Sequence, residues 1–313
     1  MLPRRWGWHL LTAAVLAGIG VGMYFATRAI DYQWRWDRVP GYLVVTGGED
    51  IPAPIDGTVA LSADGHGITL TPLLGGSPET VAGIDHVLVA DGEVVFAGNT
   101  IGKKSGISAG LLAEGLWMTL KLSALSLVFA LALGLLAGLG RVVDNPTARD
   151  LSAIYVETIR GTPLLVQIFI VYFFMGTVLN LSAFTAGVVA LSVFTGAYVA
   201  EIVRAGIESV ARGQMEAARS LGLTYGQAMR HVILPQALRR TLPPLAGQSI
   251  NLIKDSSLVS VMALTDLTKA GREVVSSSFA PFEVWFTVAA MYLLLTGALS
   301  WLVRRLERRM AHD

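Results

Sequence analysis

Residues 216–222 read Glu216-Ala217-Ala218-Arg219-Ser220-Leu221-Gly222, and the chain continues after a polar stretch into Val232-Ile233-Leu234-Pro235. The whole segment lies between two hydrophobic spans and reads as two short helices. Gly222 suits the left-handed residue that ends a first helix. Thr224, with Gln227 three residues later, reads as a capping box opening a second. Pro235 then restricts or kinks the continuation. The first helix, about residues 214–221, falls far below the about 12–15 residues that an isolated helix needs for marginal stability. Met215, Ala218 and Leu221 share one small apolar face, and Glu216 is spaced to pair with Arg219. Such a helix either lies on a lipid surface or plugs a groove in another protein.

The chain has 313 residues, 53% of them hydrophobic and 15% charged. Soluble domains carry about 25% charged residues, so the deficit points to a membrane protein. A net charge of +1 without a basic patch among aromatics offers nothing to nucleic acid. The absence of Cys excludes disulfides, thiolate metal sites and Cys nucleophiles, and the five His show no paired metal-ligand spacing. Ser256, His231 and Asp255 make no credible triad, because His231 belongs to an aqueous loop and Ser256 to a span. No catalytic residue, metal ligand or cofactor is expected in this chain.

A bilayer crossing needs about 20 apolar residues. Candidate spans are 8–30, 111–139, 164–179, 186–207, 242–264 and 285–303. The third is short and can begin earlier, near Tyr155; the fifth is interrupted by Pro243-Pro244 and by polar residues. Lys and Arg flank the cytoplasmic ends of spans. Arg4 and Arg5 place the N-terminus inside, and six crossings return the C-terminus inside beside Arg304, Arg305, Arg308 and Arg309. The same alternation puts the 216–222 segment in the cytoplasm. The first span reads as a retained anchor, with a cleaved signal peptide as the alternative.

Residues 31–107 break the hydrophobic composition. Runs at 42–46, 58–61, 68–70, 86–89 and 94–96 look like strands, and Asp64-Gly65 and Asp91-Gly92 like tight turns. The expected product is a small β-rich domain outside the membrane, either a spacer or an aid to docking a solute-binding protein. Its end, Gly98-Asn99-Thr100-Ile101-Gly102-Lys103-Lys104-Ser105, superficially looks like a phosphate loop. It fails because residue 97 is Ala and Lys104 replaces the hydroxyl residue.

The spacing Glu-Ala-Ala, three residues, Gly, nine residues, a β-branched residue, any residue, Leu-Pro resembles the EAA loop of ABC importer permeases. Glu114-Gly115-Leu116-Trp117-Met118-Thr119-Leu120, Glu157-Thr158-Ile159-Arg160-Gly161-Thr162-Pro163, Gly196-Ala197-Tyr198-Val199-Ala200-Glu201 and Lys254-Asp255-Ser256-Ser257 extend the resemblance to polar amino-acid permeases. It covers about two thirds of the chain, from about residue 107 onward; the N-terminal hundred residues depart from it. The resemblance implies an all-α polytopic membrane protein, the type I ABC importer permease fold, with the β-rich insertion added. The domains are then an N-terminal anchor at 1–30, the periplasmic domain at 31–107 and a five-helix core at 108–313. Its coupling loop spans 211–235, with Glu216, Ala217, Ala218, Gly222, Leu234 and Pro235 gripped by an ATPase.

As implied function, the chain is the permease subunit of an importer of polar amino acids in a bacterial inner membrane, both termini cytoplasmic. An ABC ATPase dimer binds ATP and Mg; a second permease subunit and a periplasmic binding protein complete the assembly. The alternative is a secondary amino-acid transporter or channel without an ATPase. Charge within a bilayer is expensive and is paired or lines a wet cavity. Asp255 with Asn251, Ser256 and Ser257 forms a polar island suited to an ammonium and a carboxylate, or else Lys254 and Asp255 form a packing pair. Pro243 and Pro244 are expected to loosen that helix. Thr195 and Tyr198, three residues apart on one helix face, are placed along the same path, with Glu201 nearer the cytoplasm. Glu157 and Arg160 are expected to pair, and Gly161 and Pro163 to bend the chain.

Overall fold

The computed structural model describes residues 4–46, 48–62 and 67–310. The expected Asp64-Gly65 turn lies outside them. The chain divides into two units, Met1–Val39 and Pro40–Asp313.

The first unit is built on α1 (Arg4–Ala29), whose 26 residues give about 39 Å of rise, enough to cross a bilayer. Its apolar side chains point outward all round. Arg28 lies 5.7 Å over the Tyr24 ring and Trp34 stacks on Trp36 at 5.7 Å, the kind of aromatic cluster that anchors a helix end at a membrane surface. The short α2 (Val39–Leu43) leads onward.

The second unit begins with nine strands: β1 (Val44–Thr46), β2 (Glu49–Pro52), β3 (Gly57–Leu61), β4 (Gly67–Pro72), β5 (Glu79–Ala82), β6 (His86–Val87), β7 (Val94–Val95), β8 (Thr100–Lys104) and β9 (Ile107–Ala109). All pairings are antiparallel, in sheets ordered β1-β9, β2-β8-β6 and β5-β4-β3-β7. Alternation sets the core: Val59, Ile68, Leu70 and Val95 point inward to meet Ala53, Ile84 and Ile101. Two Asp-Gly pairs clamp each other's strands. The Asp56 carboxylate accepts from Ala97 N at 2.7 Å and that of Asp91 from Leu61 N at 2.9 Å. The phosphate-loop lookalike is mostly strand β8, where Lys103 pairs with Asp50 at 3.4 Å. The β1-β9 ladder leads directly into the helical core, where Gly110 N donates to Leu43 O at 2.9 Å.

The core comprises α3 (Leu111–Gly140), α4 (Pro146–Arg160), α5 (Leu164–Phe169), a π turn (Ile170–Met175), α6 (Gly176–Leu179), α7 (Ala183–Glu208), α8 (Arg212–Ser220) and α9 (Tyr225–Ala228). A second π turn (Met229–Ile233), α10 (Leu234–Asp255), a 3-10 turn (Ser256–Val261), α11 (Leu267–Ser278) and α12 (Pro281–Met310) follow. Local chemistry starts these helices: Asn145 and Ser182 accept from Ala148 N and Thr185 N, and Asp266 from the amides of Thr268 and Lys269. Small residues set the central contact. A Cβ on Gly134 of α3 would meet the Val199 side chain, and the Gly196 carbonyl at 2.7 Å; one on Gly138 would meet Ala200 O at 2.7 Å. Close backbone approach replaces the hydrophobic driving force that lipid does not supply.

Among the described residues, four helices are long and apolar enough to cross a membrane: α1, α3, α7 and α12. A fifth arises if α4 and the 164–179 segment, bent by 105°, count as one span. Gly161 and Pro163 mark that bend. The expected span at 242–264 is helical but begins earlier: α10 starts at Leu234, and its polar residues, Arg239 and Arg240 among them, keep it below that apolar standard although it is long enough to cross. Its 22 residues still give about 33 Å of rise, and it packs on α7 and α12. Pro243 and Pro244 lie inside continuous α-helix; the irregular backbone is at the flanking π and 3-10 turns instead.

Candidate functional site: the α8–α9 hairpin and the polar face above it

Helix α8 ends as the sequence dictates. Gly222 adopts φ +87°, Gly222 N donates to Arg219 O at 3.0 Å and Leu223 N to Ala218 O at 3.2 Å. These bonds satisfy carbonyls that the helix end would leave open. Two residues on, Thr224 Oγ1 accepts from Gln227 N, and the Gln227 side chain accepts from Thr224 N at 2.9 Å, a complete capping box. The helix opened there runs through the π turn into α10, and Pro235 sits in its first turn without stopping it. A missing proline N–H costs little beside a π turn, where the bonding register already shifts.

The hairpin is fastened to the feet of α7 and α10. Ala218 and Ala228 are buried, and Met215, Met229 and Val232 pack on the cluster of Val203, Ile207, Val210, Ile233 and Ala237. Arg240 donates to the Ser209 carbonyl and, at 3.2 Å, to its hydroxyl. At Gly206 the α7 backbone meets Thr241 so closely that no Cβ fits. The expected outward plug face is therefore corrected: Met215 and Ala218 serve this chain's own packing. The open side carries Glu216, Ala217, Ser220 and Leu221, the last 85% exposed. Leu234 is half-buried and Pro235 exposed. Among the described residues Glu216 and Arg219 form no ion pair, although their spacing allows one.

Above the hairpin, α7 carries a charge network. Glu201 binds Arg204 at 2.6 Å and Arg160 of α4 at 3.8 Å, and Arg204 also binds Glu208. Arg160 lies 5.3 Å over the Tyr198 ring, which packs on Phe194 at 5.0 Å. Arg160 thus joins Glu201 across two helices, not Glu157 along its own, a correction that spacing could not reveal.

The remaining pathway candidates separate by exposure. Asn251 is exposed, Asp255 and Ser257 are half-buried, and among the described residues Asp255 has no hydrogen bond or ion pair. Thr195 and Ser256 are wholly buried within this chain. Thr195 shares a face with Ser192 and Val199, which touch Ser126 and Gly134 of α3. Ser256 Oγ donates to Ile253 O at 2.8 Å. The arrangement offers binding groups and a mechanical link between them and the hairpin; it assembles no nucleophile with a base. Among the described residues no cluster of His, Asp or Glu is poised to hold a metal.

Residues 130–312 match the family described as the binding-protein-dependent transport system inner membrane component. The glutamine transport system permease protein GlnP of Escherichia coli K12 is 44% identical over 203 residues, covering 64% of this chain and 93% of the relative. The probable glutamine ABC transporter permease protein GlnM of Bacillus subtilis 168 is 44% identical over 198 residues, covering 63% and 92%. A crystal structure of an amino acid ABC transporter with histidines superposes with TM-score 0.60 at 43% identity, over 64% of this chain and 94% of that one. The MetNI methionine transporter shares the fold, with TM-score 0.57 at 23% identity. This chain belongs to the binding-protein-dependent inner membrane component family: it is the inner-membrane permease subunit of an ABC importer, a transport subunit and not itself an enzyme, working with an ATPase and a substrate-binding protein.

Proposed function

We propose that the chain moves polar amino acids inward, with the α8–α9 hairpin as the lever gripped by the ATPase. Two copies, or this chain and a homologous one, enclose the path, and both termini face the cytoplasm. The observation that carries the reading is the hairpin itself. It is sealed against its own chain at Ala218 and Ala228, open at Glu216, Ala217 and Leu221, and bound to α7 and α10. A push on the open side moves those two helices, which hold Tyr198 and Glu201 on one and Asn251 and Asp255 on the other. ATP and Mg belong to the partner, whose closure supplies the push.

The likeness to glutamine permeases and to an amino acid transporter supports the substrate class. Asp255 accepts the substrate ammonium, while Asn251 and Ser257 offer amide and hydroxyl donors for its carboxylate. Thr195 and Ser256, being enclosed, hold helices and do not touch substrate. The test is uptake into proteoliposomes containing this permease, its ATPase and its binding protein, with a panel of labelled amino acids including glutamine. Uptake confined to polar amino acids and to the complete assembly is expected. Flux persisting without the ATPase favours a secondary transporter or channel and overturns the reading.

A further inference from the structure

Beside the hairpin, α3, α7 and α10 leave an apolar groove of about 490 Å³. Leu131, Leu135 and Leu139 line one wall in four-residue steps, so the groove runs along the helix axes for about 12 Å. Leu135 and Leu238, facing each other's helices across it, are 49% and 57% exposed. One end of the groove is marked by Arg230. There it adjoins a second cavity, of about 450 Å³, lined by Arg141, Arg149, Arg204 and Glu208 beside Tyr225 and Met229; Ile207 lines both.

The charges in the second cavity are unequal. Arg204 is neutralised by Glu201 and Glu208. Among the described residues Arg141, Arg149 and Arg230 form no ion pair; Arg149 donates only to the Val143 carbonyl, at 3.4 Å. The apolar trough thus meets three guanidiniums that form no ion pair among the described residues, Arg230 at its own end and Arg141 and Arg149 in the second cavity, with Glu201 acting on Arg141 only at longer range. Basic pockets between helix ends on the cytoplasmic side suit phosphate headgroups, and guanidinium matches phosphate through paired donors.

We propose that this slot binds an anionic phospholipid of the cytoplasmic leaflet, one acyl chain in the groove and its phosphate against Arg141, Arg149 and Arg230. The inference rests on the orientation given under the proposed function. A zwitterionic lipid brings no net charge to the three arginines, and a free phosphate leaves the groove unfilled. Because Tyr225 and Met229 belong to the hairpin segment, the bound headgroup ties the base of the lever to the membrane.

Native mass spectrometry of the purified complex with its ATPase, after delipidation and titration with phosphatidylglycerol or phosphatidylethanolamine, tests this. Wild type is expected to retain phosphatidylglycerol at least tenfold over phosphatidylethanolamine. The triple variant R141Q/R149Q/R230Q and the groove-filling Leu238→Trp, which keeps every charge, are each expected to lose that preference. Millimolar inorganic phosphate should not displace the lipid. Equal retention of both lipids, undiminished phosphatidylglycerol in the triple variant, or displacement by phosphate would each overturn the site. So would a disulfide between two copies through Leu238→Cys, which would show the groove filled by protein. ATPase retention is scored in the same spectra: its loss from wild type sinks the lever reading, whereas lost lipid preference with the ATPase bound sinks the lipid site alone.

Discussion

Replacing Gly222 isolates the backbone of the lever from its contacts. At φ +87° the residue is left-handed, and a Cβ there would meet nothing within 4 Å. A side chain at this position therefore costs only backbone strain, about 1–2 kcal/mol for an ordinary L-residue and more for a β-branched one. That cost corresponds to an about 5–30-fold fall in the ratio of native to non-native hairpin ends, and to a like fall in the native population where that end is marginal. Nine-residue α8 has no spare stability to absorb it. Gly222→Ala should therefore reduce ATP-driven uptake by about 5–30-fold, and Gly222→Val should reduce it to background. Gly222→Asn should lie between wild type and Ala, because Asn tolerates the left-handed region. The assay is uptake into proteoliposomes of the full complex, with permease yield confirming insertion. Wild-type uptake by Gly222→Val would refute the reasoning, as would Asn behaving like Val.

Other outcomes follow from separate contacts. Gly134→Leu should cost the α3–α7 interface about 1–3 kcal/mol or more of overpacking and lower the melting temperature and yield; an unshifted melt would contradict the close approach. Glu201→Gln deprives Arg160 of its ion pair and leaves Arg204 with Glu208 alone, and a loss of about 1–2 kcal/mol is expected for this partly exposed network; Glu201→Asp should recover part of it in thermal melts. Asp255→Asn should raise the KM for ATP-driven amino-acid uptake at least about tenfold, the equivalent of about 1.4 kcal/mol, while the ATPase still copurifies. An unchanged KM would remove Asp255 from the substrate path.

What the sequence disclosed were the features settled within a few residues. Gly222 and the Thr224–Gln227 box are local hydrogen-bond solutions, and each forms as its residue types require. The bend at Gly161–Pro163 is local in the same sense. The features that eluded it depend on which neighbour packs where. Ala218 and Met215 look available until the π turn ahead of α10 is found against their helix, and Thr195 looks polar and accessible until α3 closes over its face. Arg160 meets Glu201 rather than the sequence neighbour Glu157 because the C-terminal end of α4 packs against α7. Small residues at Gly134, Gly138 and Gly196 were the available signal for that buried face, since stripes of glycine mark close helix approach.

The chain contains no Cys, so a single one introduced at Leu221 reports on one surface only. In the assembled complex, Leu221→Cys should cross-link to a cysteine in the ATPase, and the cross-link should stop ATP-driven uptake until it is reduced. Uptake that continues at the wild-type rate with that bond intact, or a Leu221→Cys thiol labelled only from outside the cell, would contradict the hairpin's role as the lever.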